Sequence, residues 1–82
     1  MKLEIITPEQ IYFSGEVSLV SLPGTKGLFT VLENHAPIIS SLVSGPLVYR
    51  VNGVDTTLAI SGGFIEMNKN VVSVCVEAII NE

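Results

Sequence analysis

Apolar and polar residues alternate along this chain in short stretches, each closed by glycine, proline or asparagine. Near the C-terminal end, Val72, Val74 and Val76 fall on one side of such a stretch. Val71, Ser73, Cys75 and Glu77 fall on the other. A period of two is the signature of an extended strand, whose successive side chains point to opposite faces. The pattern predicts strands over 2–6, 11–14, 16–22, 28–32, 36–42, 45–51, 55–61, 63–67 and 71–78. The predicted breaks are Thr7-Pro8, Gly15, Leu22-Pro23-Gly24, Asn34-His35, Ser44-Gly45-Pro46, Asn52-Gly53, Gly62-Gly63 and Asn68-Lys69-Asn70. Ile38, Ile39, Leu42 and Val43 also have helical spacing, which makes that segment ambiguous. Apolar residues on both sides of the last stretch suit a central strand.

One hairpin is predictable to the residue. Asn52-Gly53 is the preferred pair for a two-residue type I′ turn, because both positions need φ > 0. That turn pairs Val51 with Val54, Arg50 with Asp55, Tyr49 with Thr56, Val48 with Thr57 and Leu47 with Leu58. Leu47, Tyr49, Val51, Val54, Thr56 and Leu58 then share one face. Arg50 and Asp55 become a solvated cross-strand ion pair that sets register.

Composition turns this pattern into a fold class. Eleven valines, nine isoleucines and five threonines stand against three alanines. Branching at Cβ restricts χ1 and favours a pleated surface over a helix. Eighty-two residues suffice for one domain, spanning 1–82. The expected architecture is all-β: a flattened antiparallel β-sandwich of about ten short strands in two sheets.

Charge and length exclude several functions. Apolar runs never exceed three residues, far short of the roughly 18 that a membrane helix needs. Four basic against eight acidic residues leave a net charge of −4, which repels nucleic acid and anionic lipid. A single cysteine, Cys75, makes no internal disulfide, and its valine-rich strand predicts a buried, inert thiol. The sequence predicts no metal site and no cofactor. Pro23-Gly24-Thr25-Lys26-Gly27 has the glycines and lysine of a phosphate loop, but no Ser or Thr follows Lys26 and no helix follows the turn. Glu66 and Glu77 lie in apolar strands, where a carboxylate needs hydrogen-bond partners. His35, two residues from Glu33, is the lone candidate general base, and it lacks a nucleophile to activate. An apolar excess without chemistry suggests surface reserved for a partner. The competing reading is a small β-barrel that binds a metabolite or metal around His35 and Glu33.

An ordered string of motifs narrows the choice. Phe13-Ser14-Gly15 precedes Pro23-Gly24-x-x-Gly27-Leu28-Phe29-x-Val31-Leu32. Then come His35-Ala36-Pro37, Gly45-x-Leu47, Ile60-Ser61-Gly62-Gly63-Phe64-x-Glu66 and Asn70-Val71-Val72-Ser73-Val74. Over essentially its whole length the chain resembles the N-terminal β-sandwich of the epsilon-subunit family of F-type ATP synthases, called delta in mitochondria. The resemblance implies two five-stranded sheets and a non-catalytic rotor subunit. Its implied partners are the gamma subunit and the polar loops of the membrane c-ring, with the alpha–beta hexamer reached only indirectly. The implied location is peripheral, on the cytoplasmic face of the bacterial plasma membrane.

Carried over by motif, the implied c-ring-facing turn is Lys26, Gly27, Leu28 and Phe29. Many members have an acidic residue where Leu28 stands, so an apolar contact or a reversed polarity at Lys26 would replace charge pairing. The implied gamma-facing residues are Thr7, His35, Ala36, Pro37, Ser40 and Ser61. Alternatively, His35-Ala36-Pro37 and Ser61-Gly62-Gly63 only shape turns. Many members continue into a helical hairpin that inhibits ATP hydrolysis and in some bacteria binds ATP. A chain ending at Glu82, just past its last strand, is expected to lack that brake.

Overall fold

A computed structural model describes residues 1–80; Asn81 and Glu82 lie outside the described residues. Ten strands follow in chain order: β1 (Lys2–Ile6), β2 (Ile11–Glu16), β3 (Leu19–Gly24), β4 (Gly27–Leu32), β5 (Ile38–Leu42), β6 (Gly45–Val51), β7 (Val54–Ile60), β8 (Gly63–Asn68), β9 (Val71–Val76) and β10 (Ile79–Ile80). They form two five-stranded layers. One runs β10-β7-β6-β3-β4 and the other β5-β8-β9-β1-β2. A single bridge joins the layers, Gly24 in β3 to Leu42 in β5, and the Val43 N–H donates to the Pro23 carbonyl at 2.9 Å beside it. The result is one ten-stranded sheet curled into a sandwich.

Alternation decides which side chains enter the interior. Leu3, Ile5, Ile65, Met67, Val72 and Val74 come from one layer, and Val20, Leu22, Val31, Leu47, Tyr49 and Ile60 from the other; all belong to one buried cluster. Each fully buried aliphatic side chain contributes about 1.5–3 kcal/mol of transfer free energy. At the open edge, Phe13 of β2 and Tyr49 of β6 bring their rings to 4.4 Å between centroids.

The Asn52-Gly53 hairpin forms in the expected register, with Asn52 at φ 51° and Gly53 at φ 79°. Arg50 Nε donates to Asp55 Oδ1 at 2.6 Å, and both side chains are exposed. β9 is central, flanked by β8 and β1, and the ambiguous 38–43 segment is strand.

Other expectations need correction. β1 and β9 pair in parallel, whereas every other pairing among the described residues is antiparallel. Alternation reports which face a residue occupies and carries no information about strand direction. Gly15 does not end β2; the Phe13 ring lies over it, and the chain breaks at Val17-Ser18 instead. Pro23-Gly24 lies within β3, beyond the last residue paired with β6, where the missing N–H costs no ladder bond. β5 begins at Ile38, leaving His35-Ala36-Pro37 as an exposed loop. β9 ends at Val76, and the two-residue β10 is too short to show a period. Cys75 is half-buried rather than buried, because it points to the outer face. Glu66 and Glu77 are exposed for the same reason and need no partner.

Among the glycines, Gly63 has the least room for a side chain. A Cβ built there would overlap the Cys75 carbonyl oxygen and lie 2.9 Å from the Val76 Cα, and φ is 147°. Gly63→Ala should destabilise the fold by about 3 kcal/mol or more in a denaturant titration. Gly53→Ala meets no atom within 4 Å, so its left-handed backbone alone should cost about 1 kcal/mol. Equal losses at the two positions would contradict this packing.

Candidate functional site

The residues singled out from the sequence fall on two ends and one edge of the sandwich. Thr7 follows β1 and Ser61 follows β7, both at the end where β9 finishes. There the Thr7 N–H donates to the Gln10 carbonyl at 2.9 Å, and Ser61 gives both its N–H and its Oγ–H to the Ala78 carbonyl, at 3.1 and 3.3 Å. Ser44 Oγ donates to the Ser61 carbonyl at 3.1 Å. These bonds leave Thr7 and Ser61 half-buried in a polar rim.

His35, Ala36 and Pro37 lie at the opposite end, between β4 and β5, and all three are exposed. The His35 N–H donates to the Leu32 carbonyl at 3.2 Å, which closes the turn, and Nδ1 lies 2.7 Å from the Ala36 carbonyl oxygen. Glu33 does not face His35; its Oε1 accepts from the Met1 amine at 3.0 Å. The carboxylate and imidazole therefore have separate partners and form no catalytic dyad. The six expected gamma-facing residues are thus not one cluster.

Lys26, Gly27, Leu28 and Phe29 form the tip of the β3–β4 hairpin, where Gly27 takes φ 119°. Alternation turns Phe29 inward against the core and leaves Leu28 66% exposed. Lys26 has no carboxylate within ion-pair distance among the described residues. Ser40, grouped with the other set from sequence, lines the same open depression of about 360 Å³ as this tip. The Gly24–Leu42 bridge causes this, because it lays the hairpin tip alongside β5.

The outer faces of the two layers differ in charge. Register aligns Leu32, Leu19, Arg50 and Asp55 across one layer, and Thr30, Ser21, Val48 and Thr57 beside them. Among the described residues of these rows, the charged groups are Arg50 and Asp55, which pair and cancel. Across the other layer, Ile39, Glu66, Ser73, Glu4 and Ser14 align, followed by Ser41, Phe64, Cys75 and Ile6. Ile39 is 78% exposed and Phe64 50% exposed, so acidic and large apolar groups mix on this face. Sequence reasoning assigned neither Ile39 nor Phe64 to a contact surface, although opposite alternation to Ile38 and Ile65 marks both as outward. It also did not connect Asn34 with Asn70, although they meet in space: the Asn34 N–H donates to Asn70 Oδ1 at 2.6 Å. Among the described residues, no three His, Cys, Asp or Glu side chains gather into a metal-binding group.

Two electrostatic features carry a pH dependence. The Met1 side chain is buried, and its part-buried amine lies between Glu33 and Glu16, at 3.0 and 3.3 Å. The hydrogen bond to Glu33 raises the amine pKa above its ordinary value of 8.0; burial opposes this and Glu16 adds to it. The Asp55 carboxyl is held below its ordinary 3.8, chiefly by the hydrogen bond from Arg50.

The chain is similar to known proteins in sequence and in fold. The family described as ATP synthase, Delta/Epsilon chain, beta-sandwich domain matches residues 1–82. The ATP synthase epsilon chain of Nitratidesulfovibrio vulgaris (strain DP4) is 41% identical over 78 residues, covering 95% of this chain and 58% of that protein. The chain thus spans under two thirds of that relative's length. The epsilon chain of Chlorobaculum tepidum is 42% identical over 69 residues, covering 83% of this chain and 78% of its own length. Among solved structures, the Euglena gracilis mitochondrial ATP synthase, which includes a c-ring, holds a chain that superposes with a TM-score of 0.89 at 23% identity, over 95% of this chain and 51% of that one. The central stalk and c-ring of the Tetrahymena thermophila mitochondrial ATP synthase hold another, with a TM-score of 0.83 at 17% identity, over 98% of this chain and 65% of that one. At these identities, the two structures establish the fold alone.

The signs of the two pKa shifts predict opposite flanks of a stability profile. The raised amine stabilises fully below pH 8.0, and that contribution is lost as pH rises through the folded value. Thermal melts should therefore fall toward alkaline pH, and acetylating the Met1 amine should abolish that slope. The depressed Asp55 stabilises above 3.8, and its contribution is lost as pH falls through the folded value. Asp55→Asn should flatten that acid flank and leave the alkaline one intact.

Proposed function

The chain belongs to the ATP synthase delta/epsilon chain β-sandwich family, and we propose on that premise that it is an epsilon-type, non-catalytic stalk element of a rotary ATP synthase. It binds the gamma subunit and rests on the polar loops of the c-ring, peripheral to the cytoplasmic face of a bacterial plasma membrane. It transmits ring rotation to gamma through contact alone. The observation that carries the reading is the family match across residues 1–82, joined to about 40% identity with epsilon chains.

The geometry supports a mechanical role. Torque transfer needs a stiff body with two separate grips. Close packing of the shared interior supplies the stiffness. The His35-Ala36-Pro37 loop and the Lys26–Phe29 tip supply the grips, because both expose residues that none of the described residues covers. Ala36 is small enough for another backbone to approach closely. Leu28 offers an apolar contact, and Lys26 offers a positive charge to acidic or carbonyl groups on a ring loop. Thr7 and Ser61 extend the gamma contact at the far end, with Ser40 beside the ring-facing tip. The metabolite-binding alternative is not favoured, since side chains fill the interior and two depressions of about 400 Å³ each are open surface grooves.

Two substitutions separate the grips. Ala36→Glu should weaken binding to the cognate gamma subunit at least about tenfold in titration calorimetry, because a carboxylate is desolvated without a partner. Its melting temperature should stay near wild type. Unchanged affinity with a large loss of stability would assign Ala36 to the fold instead. Leu28→Asp should reduce co-purification with detergent-solubilised c-ring and spare gamma binding. Loss of both together would show that the two surfaces are not independent.

A further inference from the structure

Two asparagines with left-handed backbones face each other across the end of the sandwich that carries His35-Ala36-Pro37. Asn34 opens the β4–β5 loop at φ 64°, and Asn70 closes the β8–β9 turn at φ 61°. The Asn34 N–H donates to Asn70 Oδ1 at 2.6 Å, and Asn70 Nδ2 donates to Asn34 Oδ1 at 3.0 Å. The Asn70 carbonyl accepts the Lys2 N–H at 2.9 Å, so the β8–β9 turn is itself anchored to β1. One residue before Asn34, Glu33 holds the Met1 amine. One residue after it, the His35 N–H is bonded back to Leu32. The loop is therefore fastened at consecutive residues on its β4 side and by β5 pairing from Ile38, while the residues between stay exposed.

Exposed hydrogen bonds of this kind add little net stability, because water competes for both partners. Their larger effect is on order: a loop already held in one conformation loses less freedom when a partner covers it. Asparagine suits both places, since it tolerates the left-handed region and its amide supplies a donor and an acceptor at once. We propose that Asn70 is a positioning residue for the gamma-facing loop: it fixes His35-Ala36-Pro37 through Asn34 before gamma binds, without touching gamma itself. The proposal rests on the reading that this loop docks on gamma.

Asn70→Gly tests it, because glycine keeps the left-handed turn while removing both side-chain bonds. With the full chain and its cognate gamma subunit, the Asn34 amide should exchange with solvent about tenfold faster, and gamma affinity should fall about five- to tenfold. The melting temperature should change little. Asn34→Gly keeps one of the two bonds and should lose less. Asn70→Asp still accepts from the Asn34 N–H, and from the Asn34 side chain once its amide turns over, so it should restore affinity to within about twofold of wild type. Wild-type affinity in Asn70→Gly alongside weakened binding in Ala36→Glu overturns the positioning role and leaves the docking reading standing. Wild-type affinity in both variants removes the docking reading, and the proposal with it. An equal loss in Asn70→Gly and Asn70→Asp also overturns it, since the hydrogen bonds are then not the cause. If Asn70→Gly does not fold, the comparison of Asn34→Gly with Asn70→Asp decides by the same criteria.

Discussion

One interior, shared by two five-stranded layers, holds every strand of this chain in place. None of the strands among the described residues is longer than seven residues, and an isolated hairpin of that length is marginal in water. Leu3, Ile5, Ile65, Met67, Val72 and Val74 are removed from water because Val20, Leu22, Val31, Leu47 and Ile60 lie opposite them. The bridge at Gly24–Leu42 lets one continuous sheet supply both layers. The close approach of Gly63 to Cys75 then sets how tightly β8 and β9 lie together.

That constraint leaves function to the outward half of the chain. Alternation commits about every second residue to the interior, so the loops and outer faces alone are available to a partner. The loops differ in how they are held. Thr7 and Ser61 are tied into a rim of backbone carbonyls, whereas His35-Ala36-Pro37 projects from a fastened base. The β3–β4 tip leans along β5 and takes Ser40 into its surroundings. Both segments of the proposed coupling role thus project from hydrogen-bonded bases. The near-neutral outer face of one layer and the acidic, partly apolar face of the other give the sandwich two chemically distinct sides.

Much of the fold was legible from side-chain types and their spacing. The inward residues of β1, β6, β8 and β9 follow from alternation alone, and the Asn52-Gly53 turn specifies a register that the structure reproduces pair by pair. Where glycine or proline was read as a stop, the reading failed at Gly15 and Pro23. Each of those residues lies in a strand because of what packs on it or pairs beyond it. That Lys26 and His35-Ala36-Pro37 stand at exposed turns was legible, but which of the candidate residues lie near one another was not. Ser40 and Lys26 are fourteen positions apart in sequence and neighbours in space, while Ser61 and His35 occupy opposite ends.

The sequence by itself determined the fold class, the core-facing residues and the local turns, because these depend on periods of two and on backbone preferences within a few residues. Only the tertiary structure decided the parallel pairing of β1 with β9, the meeting of Asn34 with Asn70 and the hold of Glu33 on the Met1 amine. Each of these joins groups more than thirty positions apart. Local pattern encodes which face a residue takes; long-range closure against one shared interior decides which residue it meets there.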